Sequence, residues 1–347
     1  VRFRQARVDR VDHTTKHVVL DDGMTLSYDI LVVALGAVPN YFGIDGLEGA
    51  CIPLKTLDDA YRIRTSIMTS LAKRRAGNPL RVVIAGAGPN GTELAAELAA
   101  TVQAAALHGV IDQDTFSITL IDAAPNVLMP LPEKLRRRAE KRLTSLGIKL
   151  ELGKAMSALN ASHVMLAPSV APGAPKQGES EPVPMPYDIC VWSGGITVGR
   201  IVRELPFAHD PKGRIAVDGC LRIEGTEDAF AVGDCASVRN PFTHTFEPQT
   251  AQVAVQQAKT VAQNIVAQLA NKPLVTFPFP KRWAILITLG GKYAAGVVGG
   301  LTVSGYFAFV LRRLVDLHYF IEVMSPGDAF RFWRRGVNVY AKNEEGE

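Results

Sequence analysis

Gly86, Ala87, Gly88, Pro89, Asn90 and Gly91 carry the strongest chemical signal in the chain. They follow the apolar run Val82, Val83, Ile84 and precede the alanine-rich residues 92–107, so the pattern predicts strand, glycine turn, helix. In that setting Gly86 permits the tight turn, Gly88 lets the backbone approach a pyrophosphate, and Gly91 lets helix and strand pack closely. With Pro89 and Asn90 between them, the glycines make a candidate cofactor-binding loop. The helix start behind it offers unpaired N–H groups and a positive dipole end to phosphates.

Asp122 ends the next expected strand, residues 117–121, where a carboxylate can accept hydrogen bonds from an adenosine ribose. It arrives later than the usual spacing of about 20 residues, and a loop over residues 109–114 accounts for the delay. Ala123 and Ala124 offer a 2′-phosphate no positive charge, which favours NADH over NADPH. The plainer alternative is a strand-end aspartate capping a turn. A second signal lies in Ala229, Phe230, Ala231 and Val232 followed by Gly233 and Asp234, which puts a carboxylate at the C-terminal edge of a sheet, where α/β proteins bind ligands.

The elements that must position these residues follow a βα rhythm. Residues 6–12 and 17–20 alternate as a hairpin, and residues 28–35 run apolar up to Gly36, as a strand covered on both faces would. Helices are expected over 58–76, 92–107, 133–146 and 250–269. Strands are expected over 149–152, 189–192 (closed by Ser193, Gly194 and Gly195), 214–217 and 229–232. Residues 168–186 are rich in proline, glycine and charge, which predicts a surface loop or hairpin extension.

With 347 residues the chain exceeds one typical domain. A 47% hydrophobic and 21% charged composition excludes general disorder, and a net charge of +4 is far from that of a nucleic-acid coat. Cys51, Cys190, Cys220 and Cys235 form no CxxC and no close pair, so free buried thiols are expected, with no disulfide and no metal site.

Taken together, the strand ending at Gly36, the GAGPNG turn, Trp192 to Gly195 and the segment ending at Asp234 resemble the two-dinucleotide-binding-domain flavoproteins. Within them the chain resembles the type II NADH dehydrogenases, single-subunit NADH:quinone oxidoreductases. The narrower likeness rests on residues 34–44, on residues 54–60, and on Pro248 to Gln257, which fits that family's AQxxxQ quinone-site pattern. The resemblance implies an α/β fold of tandem Rossmann-like FAD- and NAD(P)-binding domains, with the first FAD βαβ unit missing from this chain. By domain size, about a hundred residues would precede Val1.

It further implies FAD and NADH as cofactors, and hydride transfer from NADH to FAD and on to a membrane quinone without proton pumping. Gly86, Gly88, Pro89, Asn90, Gly91 and Asp122 would bind NADH. Gly36, Gly194, Gly195, Gly233 and Asp234 would serve the cofactors, and the helix opening at Thr250 and Ala251 would aim its N–H groups at the flavin. Glu93 matches a family glutamate near the nicotinamide; its plainer reading is a carboxylate favoured by the helix dipole. Gln252 and Gln256, one turn apart, would line the quinone pocket; outside the family, a solvated helix face is the better reading. Rival readings are a sulfide:quinone or disulfide reductase of the same fold, or an NAD(H)-binding module without electron transfer.

The expected division is 1–55 and 201–280 for the FAD domain, 56–200 for the NADH domain and 281–347 for a C-terminal membrane-associated module. Nineteen residues from Tyr293 to Leu311 carry no charge, but their glycines predict a hairpin and a following helix rather than a spanning segment. Over 281–335 eight Lys and Arg face three Asp and Glu, and aromatics cluster there. That suits an amphipathic surface in a bilayer interface; a buried helix pair or homodimer interface is the alternative. The resemblance implies peripheral attachment at the cytoplasmic face of the inner membrane.

Overall fold

The computed structural model describes residues 1–74, 77–169 and 181–342. The chain forms two compact units: Val1–Pro39 with Ile196–Lys281, and Asn40–Gly195 with Arg282–Glu347.

In the second unit a five-stranded parallel sheet runs in the order Ile52–Pro53, Ile189–Trp192, Leu80–Ala85, Phe116–Asp122, Lys149–Leu152. Its central strands are mostly apolar because both faces are covered; Arg81, near the start of Leu80–Ala85, pairs with Asp188. Leu80, Val82 and Ile84 point into a core shared with the helices Leu57–Ala72, Pro89–Leu107 and Glu133–Ser145. Val83 and Ala85 point the other way, towards the antiparallel strands Lys154–Leu159 and His163–Pro168. The first of those helices opens on a capping box, with Thr56 and Asp59 each accepting the other's backbone N–H. Of the expected loop over 168–186, Val183–Pro186 is a strand paired with His163–Pro168, while residues 170–180 lie outside the described residues.

Several expectations need correction. Residues 40–55 belong to this unit, because Ile52–Pro53 is the edge strand beside Ile189–Trp192. Residues beyond 281 cluster with this unit. They form the meander Ile285–Thr288, Ala294–Val298, Leu301–Gly305, and Ile287, Leu289 and Ala295 enter the same core as Ala96 and Ala100. Cys51 and Cys190 are joined in a disulfide across adjacent parallel strands. Cys220 and Cys235 are free.

After the meander come the helices Tyr306–Val323 and Pro326–Lys342. The uncharged stretch is therefore a hairpin and a helix start, as the glycines predict. Trp333 Nε1 donates to the Arg313 carbonyl at 2.6 Å and ties the two helices together. Ala308 and Phe309 pack inward with Ala294, whereas Tyr306, Phe307, Leu314, Val315, Phe330 and Phe332 are exposed. Among the described residues no helix is long and apolar enough to cross a membrane.

The first unit begins with the meander Val8–Asp12, His17–Leu20, Thr25–Ser27. Leu31–Val33 then pairs in parallel with Ala229–Ala231. In the run over 28–35 Val33 is buried, whereas Val32 and Leu35 are 41% and 45% exposed. Phe230, Ile215, Leu221 and Phe277 are fully buried. The 19-residue helix Ala251–Leu269 belongs to this unit.

Candidate functional site

The glycine turn is held by its neighbours at two positions and open at the third. Gly86 has φ +108°, and a Cβ there would lie 2.6 Å from the Ser193 carbonyl. A Cβ on Gly91 would lie 2.0 Å from the Gly86 carbonyl oxygen and 2.3 Å from Ser193 Oγ. Gly88 has nothing within 4 Å of such an atom, leaving room for a ligand to reach the backbone. Gly88 is the N-cap and Pro89 the first residue of the helix Pro89–Leu107, three residues earlier than the sequence pattern places it. Proline is suited there, since its missing N–H would have no partner anyway.

Asp122 sits at the end of its strand, beside this turn. Its Oδ2 accepts the Ala87 N–H at 2.5 Å, and its Oδ1 accepts the Ala124 N–H at 2.7 Å. The turn-capping reading therefore describes what the side chain does here. A carboxylate has about four lone-pair positions, so a ribose hydroxyl can still be accepted. The Leu128 N–H donates to the Ala87 carbonyl at 2.8 Å, with Leu128 fully buried at φ +51°, which ties the following loop to the same turn.

Glu93 lies one turn into the helix. Its Oε1 accepts the Thr288 N–H at 3.0 Å and the Thr288 hydroxyl at 3.3 Å. Burial pushes its carboxyl above the usual range, against the opposing pull of the Thr288 bonds, Arg312 and Arg313. Gly194 and Gly195 lie across the sheet edge, where a Cβ would strike the Trp192 ring at 2.6 Å and the Phe42 ring at 2.9 Å. Their smallness is thus explained by aromatic packing. Phe42 is 63% exposed and holds φ +52°, an unusual conformation for a bulky residue; no sequence signal marks it.

In the first unit Gly233 (φ +73°) follows the strand Ala229–Ala231, and Asp234 follows it half-buried. The turn is gripped by two glutamines. Gly233 N–H donates to Gln257 Oε1 at 2.7 Å, and Gln249 Nε2 donates to the Asp234 carbonyl at 2.7 Å. Thr250 caps the helix, its hydroxyl oxygen accepting the Val253 N–H at 3.4 Å, and Ala251 and Gln252 are exposed at its start. Gln256 is half-buried. Gln257, 1% exposed, is the residue the sequence reading missed. Its signal is the apolar phase set by Val253 and Val261, which puts position 257 on the inner face.

Gly36 (φ +65°) follows Leu31–Val33, with nothing within 4 Å of where a Cβ would be. Cys235 lies buried beside that strand end, its Sγ 3.3 Å from the Val232 carbonyl, and burial pushes its thiol up. Among the described residues no three His, Cys, Asp or Glu side chains gather as a metal site requires.

The model of the pyridine nucleotide-disulphide oxidoreductases matches residues 1–258. A type II NADH:quinone oxidoreductase of Staphylococcus aureus is 27% identical over 336 residues, covering 95% of this chain and 80% of the relative. The demethylphylloquinone reductase NdbB of Synechocystis is 30% identical over 325 residues, covering 92% and 74%. The solved structure of NDH2 from Plasmodium falciparum in complex with NADH superposes with a TM-score of 0.82 at 17% identity, over 98% of this chain and 84% of that one. At that identity the superposition speaks for the fold, a mixed α/β architecture with Rossmann-like sheets. The family model and the sequence relatives give the lineage: this chain belongs to the pyridine nucleotide-disulphide oxidoreductase family.

Proposed function

We propose that the protein oxidises NADH and reduces a quinone, with FAD carrying the electrons. The observation that carries this reading is the likeness, along 92% and 95% of the chain, to two proteins named as quinone reductases. The open Gly88 turn suits the substrate pyrophosphate. The net reaction takes NADH, one proton and quinone to NAD⁺ and quinol.

The residues present suit the ribityl and pyrimidine end of a flavin. Gly233 holds a left-handed turn braced by Gln257, and the 19-residue helix has no acidic residue in its first turn, so its positive end is uncompensated for an anionic ligand. FAD held there would supply the hydride-accepting and electron-releasing chemistry that links NADH to the quinone. The protein binds and orients. The backbone N–H groups of Gly88 and Asn90, on either side of Pro89, receive the NADH pyrophosphate, Asp122 accepts from the ribose, and Glu93 Oε2 accepts from the nicotinamide carboxamide. Asp234 and the Ala251 N–H, at the helix start that Thr250 caps, hold the flavin, beside the space left at Gly36. Gln252 and Gln256 contact the quinone. Gly194 and Gly195 seat Trp192 and Phe42 at the sheet edge.

The test is anaerobic mixing of the FAD-loaded protein with NADH, following flavin absorbance, then adding a soluble quinone. Bleaching followed by recovery supports the reading. Bleaching without recovery removes the quinone, and equal rates with NADPH remove the role of Asp122.

The C-terminal helices also suit attachment to a membrane surface. Exposed Phe330 and Phe332 lie among exposed Arg331, Arg334 and Arg335, a combination that favours an anionic lipid interface. The enzyme would then be peripheral, on the cytoplasmic face of the inner membrane, where its reductant is made. Flotation with anionic but not neutral vesicles supports this; a stable dimer that fails to float puts a second copy on this face instead.

A further inference from the structure

The contact between Glu93 and Thr288 spans 195 residues of sequence and is built at both ends. Thr288 is 4% exposed and ends the strand Ile285–Thr288, where it pairs with Ala294. The turn behind it is clamped. Leu289 N–H donates to the Tyr293 carbonyl at 2.8 Å, and Arg142 donates to the Leu289 and Gly290 carbonyls at 3.2 Å each. Gly290, at φ +81°, lies so close to the glycine-turn helix that a Cβ would sit 2.8 Å from the Ala96 carbonyl oxygen. The donors of Thr288 are therefore fixed relative to that helix, and both converge on Glu93 Oε1. Oε2 has no hydrogen-bond partner among the described residues.

We propose that Thr288 is a positioning residue for NADH oxidation: it pins one carboxylate oxygen of Glu93, leaving the other as a fixed acceptor for the carboxamide N–H of the nicotinamide. The inference rests on the reading of Glu93 as the group that meets the nicotinamide. A carboxamide N–H donates more strongly to an ionised carboxylate oxygen than to a neutral carboxyl, and burial works against that ionisation. The Thr288 hydroxyl opposes burial by donating to the charged form. Around it stand Arg312 and Arg313 on the helix Tyr306–Val323, both paired with Asp316, and Glu97 on Glu93's own helix. The strand of Thr288 adds no charge of its own.

The experiment measures the rate of flavin reduction by NADH in the FAD-loaded protein across pH, for wild type, T288V, T288S and E93Q. T288V should raise the KM for NADH about tenfold with little change in kcat, and shift the acid limb of the profile to higher pH. T288S should restore both, and E93Q should abolish the limb. A T288V protein with wild-type KM and acid limb, beside an impaired E93Q, overturns the role of Thr288 and keeps that of Glu93. Wild-type kinetics in E93Q overturn both. Should T288V fail to fold, T288A against T288S gives the same contrast.

Discussion

The glycine turn that opens Pro89–Leu107 and the Gly233–Asp234 turn tied to Ala251–Leu269 both follow buried strands, yet different forces hold them. In the first, close packing does the work: Gly86 and Gly91 lie where any Cβ would meet backbone. In the second, side-chain amides do it: a Cβ on Gly233 would meet Ala254 at an ordinary 3.5 Å, and shape comes from Gln257 and Gln249. The units differ in covalent bracing as well, since the disulfide lies in the first turn's unit and the free thiols in the other. A turn held by sterics advertises itself through glycine spacing, whereas one held by distant amides does not.

This contrast can be broken at four points. The largest effect is expected from Cys51→Ser with Cys190→Ser. The disulfide closes a separation of 139 residues, and its loss should cost about 4 kcal/mol in a denaturant melt. A melt unchanged by the double substitution would remove covalent bracing from the comparison. Next, Gly91→Ala should cost about 3 kcal/mol by overpacking against backbone. Gly88→Ala, in open space, should melt like wild type and lose NADH affinity by calorimetry. Equal destabilisation of the two would show that packing does not single out Gly91.

Gln257→Leu leaves the Gly233 N–H without its acceptor and should cost about 2 kcal/mol, with a matching fall in FAD retention on gel filtration. Full retention would mean that the amide grip is dispensable. The smallest effect concerns Glu93. Its folded carboxyl titrates above the usual 4.5, so the protonated form favours folding and that contribution is lost as pH rises through the folded pKa. Glu93→Gln lacks this loss, so its melting temperature relative to wild type should climb as pH rises above the usual carboxylate range. A constant difference would place the carboxyl in a solvated site.

What could be read from sequence follows the same division. The GAGPNG turn, its strand and its helix were legible because glycine spacing, the apolar run before it and the alanine spacing behind it are local patterns, although Ser193, which crowds Gly86 and Gly91, lies far along the chain. Gln257 was hidden behind its neighbours Gln252 and Gln256, because motif matching ignored the helix phase that Val253 and Val261 set. The disulfide was illegible since only the pairing of Ile52–Pro53 with Ile189–Trp192 brings Cys51 to Cys190. The strand Ile285–Thr288 carries no distinctive pattern, so neither its place on the glycine-turn helix nor the Thr288 contact could be inferred. Phe42 departs from ordinary backbone geometry, which composition never reveals.

The core of the nucleotide-binding unit draws on Ile287, Leu289 and Ala295, and the chain reaches them only after building the second segment of the other unit, Ile196–Lys281. A ribosome working at about 5–20 residues per second needs roughly 4–17 seconds to cross that interval. Throughout it the side of Pro89–Leu107 that carries Ala96 and Ala100 has been synthesised but lacks its cover from the turn at Gly290. A nascent chain with that stripe open to water is a natural client for holdase chaperones, and a truncation anywhere between 196 and 285 should be cleared by proteases rather than accumulate.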